Sequence, residues 1–102
     1  MPNLLMETQH HLGREEAARR LKEKFSVVHA TYSSRVNNLQ ENWTDHTFSF
    51  SFDTMGMGVS GTVIVEDASV RLDVELPFAA ILFKGAIEQR IRQEISDLLE
   101  RD

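Results

Sequence analysis

The chain has 102 residues, of which 41% are hydrophobic and 26% charged, so its length fits one soluble domain spanning residues 1 to 102. Leu, Ile, Val and Phe supply 29 residues, well above the roughly 20% typical of disordered chains. The absence of cysteine excludes disulfide scaffolds and thiol chemistry, and a net charge of -5 without a basic stripe argues against a nucleic-acid partner.

A short strand and a long helix are the first elements predicted along the chain. Residues 4 to 11 alternate weakly between apolar and polar, which favours a strand. Gly13 then precedes a helix start in which Glu16 occupies the third position, where a carboxylate meets free backbone amides. An apolar stripe continues this helix to about Ser33 and Ser34. The stripe comprises Ala17, Leu21, Phe25, Val28 and Tyr32.

From residue 36 the apolar period changes to two, which predicts four strands of an antiparallel sheet. The first, over residues 36 to 43, has a poor strand composition, but Leu39 and Trp43 share a face. The next three alternate sharply and pair across turns at 56–58 and 67–68, because any other register would turn apolar residues outward. The predicted inner rows are Phe52, Val59 and Leu76; Phe50, Gly61 and Val74; and Phe48, Val63 and Leu72.

Gly61 leaves one gap in this inner face, beside Phe50. A glycine inside a strand favours either an aromatic ring that covers it or a helix that passes close to it.

Leu76-Pro77 ends the last strand, and a C-terminal helix follows with an apolar stripe of its own. The stripe comprises Phe83, Ile87, Ile91, Ile95 and Leu98. Gly85 leaves open a separate turn over residues 78 to 84. The element order β-α-β-β-β-β-α predicts an α+β, two-layer fold, in which both helices cover one face of an antiparallel sheet.

The polar residues match no recognised catalytic or metal-binding pattern. His10 and His11 are neighbours on a predicted strand and point to opposite faces, so they cannot chelate one metal ion, and a structural His10 is favoured over a general base. Asp73 and Glu75 lie among polar neighbours, which favours a solvated pair. The glycines at 56–58 join two strands and lack a helix N-terminus for phosphate. We therefore expect no catalytic residue, cofactor or metal.

Two groups of apolar residues are candidates for contact with a partner. One lies at the turn around residue 56, and the other is the run 78–83, whose six apolar side chains cannot all face one core. Together they define a candidate contact patch of Met55, Met57, Phe78, Ile81 and Leu82. The run is far shorter than the roughly 20 residues of a membrane span, so we expect a cytoplasmic protein. Exposed sheet edges and this run would also suit a homodimer.

Scattered residues along nearly the whole chain resemble a bacterial family. They are His10-His11-Leu12-Gly13 before Glu16-Ala17, Trp43 before a phenylalanine strand, Gly61-Thr62-Val63-Ile64-Val65, and Leu76-Pro77 before an amphipathic helix. This combination resembles the polyhydroxyalkanoic acid system proteins, which are named for genes near those of polyester storage. The resemblance implies a pathway neighbourhood but no reaction, and it carries over no catalytic residue.

Two functions of different classes are compatible with these residues. The first is a non-enzymatic accessory protein that contacts polyhydroxyalkanoate granules, or proteins on them, through the contact patch. The alternative is a domain that binds a small hydrophobic or acyl ligand in a cavity between the C-terminal helix and the sheet. The element order resembles a shortened helix-grip domain, which implies such a cavity. Its candidate lining is Phe50, Gly61, Val74 and Phe83.

Overall fold

Five strands form one antiparallel sheet, and two helices pack on one of its faces. The computed structural model describes residues 3 to 100. The elements are β1 (Asn3–Gln9), α1 (Arg14–Tyr32), β2 (Asn37–Thr44), β3 (Thr47–Thr54), β4 (Met57–Val65), β5 (Ser69–Glu75) and α2 (Lys84–Glu100). Short 3-10 segments occupy Ser33–Arg35 and Phe78–Phe83. The predicted α+β fold and its element order are confirmed, and the separate turn before α2 is the second of these segments.

The sheet has the strand order β1-β5-β4-β3-β2, so β1 and β2 are its edges. The predicted register is confirmed in two complete rows, in which Phe50 lies opposite Gly61 and Phe48 opposite Val63, each continued across β5. The third row is shorter than predicted, because the β4–β5 ladder ends at Ser60 and Glu75. β1 extends the two complete rows by placing Leu4 opposite Val74 and Met6 opposite Leu72.

The helices pack most closely on one end of the sheet, which we call the closed end, while the buried strand residues extend beyond it to Leu4 and Leu76. Here the N-terminal half of α1 runs beside the C-terminal half of α2, and the buried helix residues all come from these two halves. They are Ala17, Ala18, Leu21, Ile95, Leu98 and Leu99. The N-terminus of α1 also contacts the β4–β5 turn, where the Asp67 carboxylate accepts a hydrogen bond from the Arg14 amide at 3.2 Å.

His10 forms hydrogen bonds to the β4–β5 turn from within the core. β1 ends at Gln9, two residues before the predicted end, and the His10 amide continues the ladder by donating to the Ala68 carbonyl in the turn at 2.9 Å. Its buried imidazole accepts a hydrogen bond from the Leu12 amide at Nδ1, and therefore donates from Nε2 to the Glu66 carbonyl at 3.0 Å. Both ring nitrogens have backbone partners, as expected for a structural histidine.

The other end of the sheet, which we call the open end, is loosely covered. α1 ends there, α2 begins there, and the β3–β4 turn lies between them. The predicted stripe on α1 continues in sequence, yet Val28 is 39% and Tyr32 49% exposed. The helical period is therefore correct over the whole of α1, but only its first half is buried against the sheet.

A candidate contact patch and two clefts at the open end

The segment Phe78–Phe83 has no buried residue. A 3-10 helix has three residues per turn, so six consecutive side chains spread over three rows and cannot form one buried face. Phe78 and Ile81 share one such row and are 69% and 53% exposed, whereas Leu82 lies in another row and is 88% exposed. Half-buried Ala80 packs against the core. The segment is thus held at the sheet while its large side chains face outward.

The remaining members of the contact patch lie at the same end of the molecule. Met55 is 89% exposed in the β3–β4 turn, and Met57 is half-buried at the start of β4. β5 ends opposite Ser60, so the segment Phe78–Phe83 leaves the sheet near this turn. The structure therefore brings both predicted groups to the open end. Phe83, which the sequence placed in a cavity, is 62% exposed beside them.

Two open clefts flank the C-terminal half of α1. The β2 cleft, of about 430 Å³, lies between α1, β2 and β3, and the α2 cleft, of about 640 Å³, lies between α1, α2 and the sheet. Of the predicted cavity residues, Phe50 lines both clefts and Val74 lines the α2 cleft. Gly61 and Phe83 are absent from both linings as the described residues define them.

The Phe50 ring covers Gly61, which is the first of the two predicted explanations for this glycine. A Cβ atom at Gly61 would lie 2.6 Å from Cζ of Phe50 and 3.1 Å from the Asp73 carbonyl oxygen. The ring occupies the space of the missing side chain and separates the glycine from the clefts.

A row of aromatic rings forms the floor on which α1 rests. Phe25 of α1 stacks on Phe48 at 4.7 Å between ring centroids, and Phe48, Phe50 and Phe52 follow one another along β3 at 5.9 and 6.3 Å. Trp43 of β2 lies 5.0 Å from Phe48. Beyond Phe25, α1 no longer packs tightly on this row, and the space left between them becomes the two clefts.

The β2 cleft contains a carboxylate and two basic groups among its apolar walls. Glu41 lies opposite Phe50, and its Oε1 is 2.6 Å from Nδ1 of His29 on α1. The guanidinium of Arg35 lies 5.5 Å from the ring centre of Tyr32. Ser33 also lines the cleft, but within residues 3 to 100 no hydrogen bond joins its hydroxyl to His29. A nucleophile activated by this imidazole is therefore not assembled.

Sequence reasoning missed Glu41. The signal was available, since Leu39, Glu41 and Trp43 share one strand phase and two of them are apolar. A carboxylate in the inward phase of a strand requires a partner, which α1 supplies through His29.

Ion pairs along the helices hold the walls of the α2 cleft. The Lys24 ammonium lies 3.0 Å from the Glu94 carboxylate and joins the two helices, and hydrogen bonds from Lys24 and Arg90 lower the pKa of Glu94. Nearer the closed end, hydrogen bonds from Arg19 and Arg20 lower the pKa of Glu16 to about 2. The cations that line the α2 cleft therefore already have a carboxylate partner.

Within the described part of the chain, no group of three potential ligands could hold a metal ion, and no helix is both long and apolar enough to cross a membrane. A family model described as "Putative polyhydroxyalkanoic acid system protein" matches residues 4–99. No curated protein and no solved structure matches the chain.

Proposed function

This chain belongs to the polyhydroxyalkanoic acid system protein family, and we propose on that basis that it is a non-enzymatic accessory protein that adheres to polyester granules in the cytoplasm. The observation that carries the proposal is the segment Phe78–Phe83, six apolar residues of which none is buried. Contiguous exposed apolar surface on a globular protein is typical of an interaction site.

A storage polyester offers the surface chemistry that this patch would match. Its bulk is aliphatic, and its ester groups carry no net charge, so contact would be driven by burial of apolar side chains. Full burial of a leucine or phenylalanine contributes about 1.5–3 kcal/mol. Leu82 and Phe78 have most of this area still to bury. Because burial of this kind needs no ion pairs, adhesion should resist salt.

Co-sedimentation with polyhydroxybutyrate particles, stripped of protein, tests the proposal directly. The wild-type protein should sediment with these particles at low and at high salt. Leu82→Glu should weaken binding at least tenfold, because about 2 kcal/mol of burial is lost and a charge is placed in the contact. Since Leu82 is 88% exposed, the melting temperature should stay unchanged.

The matched control is Leu5→Glu. Leu5 is 68% exposed on β1, in the opposite strand phase from buried Leu4 and Met6, so it faces away from the helices. This variant adds the same charge at a comparably exposed leucine and should bind like the wild type. If both variants lost particle binding equally, the cause would be the added negative charge and not the position of Leu82. If Leu82→Glu bound like the wild type, the contact patch would be refuted. Binding only to particles that retain their proteins would indicate that the partner is a granule protein and not the polyester.

A further inference from the structure

We propose that the β2 cleft binds an aliphatic chain with an anionic head group, and that Arg35 is the residue that binds the anion. This site differs from the contact patch and does not depend on granule adhesion. It also differs from the cavity predicted beside the C-terminal helix, because its walls are α1, β2 and β3.

The walls of the cleft suit a hydrocarbon chain. Three phenylalanines of β3 form its floor, Val28 and Tyr32 face it from α1, and Leu39 closes the side at β2. Its volume of about 430 Å³ falls within the roughly 300–1,000 Å³ of small-molecule sites. Apolar walls with few polar groups favour an aliphatic ligand over a polar metabolite.

Arg35 supplies the charge that an anionic head group needs. Its guanidinium lies over the Tyr32 ring, and among residues 3 to 100 it forms no ion pair with a carboxylate. Arginine binds carboxylates and phosphates through paired N–H donors, a geometry that stacking on an aromatic ring leaves available. The 3-10 segment Ser33–Arg35 sets this residue between the end of α1 and the start of β2, which both line the cleft.

The other charged groups in the cleft leave this preference intact. Glu41, the one carboxylate that residues 3 to 100 place in the lining, has its Oε1 2.6 Å from Nδ1 of His29 and is thus already engaged by a neighbour on α1. By contrast, the α2 cleft is lined by Lys24 and Arg90, which both bind Glu94. Of the two clefts, the β2 cleft thus combines apolar walls with a cation that has no carboxylate partner among residues 3 to 100.

Titration with decanoate, decyl phosphate and decanol tests the site. Binding can be followed by calorimetry and by the fluorescence of Trp43, the one tryptophan of the chain, which contacts Phe25 and Phe48 of the cleft wall. We expect at least one of the two anionic probes to bind, and to bind more tightly than decanol. Preference for decanoate would identify a free carboxylate as the head group, and preference for decyl phosphate would identify phosphate.

Two variants assign the binding to residues. Arg35→Gln should weaken the anionic probe about tenfold, as expected for one charge-assisted hydrogen bond, and leave decanol unchanged. Its matched control is Arg71→Gln on the opposite face of the sheet, which should change neither. Leu39→Trp should fill the cleft and abolish binding of all three probes, whereas Ile91→Trp in the α2 cleft should not.

Several results would overturn the proposal. These are no binding of any probe, equal affinity for decanol and the anions, an unchanged affinity in Arg35→Gln, or loss of binding in Ile91→Trp but not in Leu39→Trp. Leu82→Glu separates this site from the contact patch, because it should weaken particle adhesion at least tenfold and retain binding of the anionic probe. Each proposal can therefore be tested even if the other fails.

Discussion

Replacement of Gly61 by alanine should destabilise the fold, although alanine normally suits a strand better than glycine. The new Cβ would lie 2.6 Å from Cζ and 2.8 Å from Cε1 of Phe50, so the ring must retreat until these distances reach ordinary contact, at 3.4 Å or more. The ring can move into the clefts that it lines. The Asp73 carbonyl oxygen, 3.1 Å from the new Cβ, belongs to the backbone and can move less. Overpacking of this kind costs about 1–3 kcal/mol.

Urea unfolding of the wild type and four variants measures this cost and its cause. Gly61→Ala should lower the free energy of unfolding by about 1–3 kcal/mol, whereas Gly58→Ala in the same strand is the control. A Cβ at Gly58 meets its nearest neighbour, Asp53, at 3.5 Å, so this variant should be neutral or gain about 0.5–1 kcal/mol. In a Phe50→Leu background the clash is relieved, and Gly61→Ala should cost at least about 0.5 kcal/mol less.

Additive costs of Gly61→Ala and Phe50→Leu would refute this reasoning, because they would mean that the ring does not occupy the space above the glycine. Equal effects at Gly58 and Gly61 would refute it as well, since they would point to the strand backbone instead of the ring.

Two further predictions concern the closed end. His10→Ala should lower the free energy of unfolding by about 2–3 kcal/mol, because the Leu12 amide and the Glu66 carbonyl lose their hydrogen-bond partner. The control is His11→Ala, an exposed position, which should change the free energy of unfolding by no more than about 0.5 kcal/mol. Equal losses of the two variants in urea unfolding would contradict the structural role of His10. Glu16 has a pKa of about 2 in the folded protein, below the ordinary 4.5, so its contribution to stability is complete above pH 4.5 and is lost as the pH falls towards 2. The stability difference between wild type and Glu16→Gln should shrink across that window in acid unfolding curves, and a constant difference would contradict the assignment.

The register of β3, β4 and β5 could be predicted from the sequence, because the alternation of apolar residues along a strand is a local pattern. Side chains of a strand alternate between faces, so the phases of Phe48 and Val63 already fix which residues meet across the β3–β4 turn. The edge position of β1 could not be predicted in the same way, because its weak alternation left its place in the sheet undetermined. The pairing of Leu4 with Val74 in the structure defines this position at the edge beside β5.

The clefts could not be predicted, for a different reason. Helical periodicity indicates which side of a helix faces the sheet, but it contains nothing about the distance between them. Leu21 and Val28 belong to the same stripe, yet one is fully buried and the other is 39% exposed. That difference arises from the aromatic row beneath α1, a tertiary feature to which β2 and β3 both contribute. The pairing of Glu41 with His29 likewise joins residues whose elements meet only in the folded chain.

The closed end and the open end also differ in what a substitution would change. Substitutions among the buried residues of the closed end alter folding directly, because those side chains fill the core. Substitutions at Phe78 or Leu82 leave the core intact and alter only what the surface contacts. The exposed side chains of the open end can therefore be exchanged at little cost to folding.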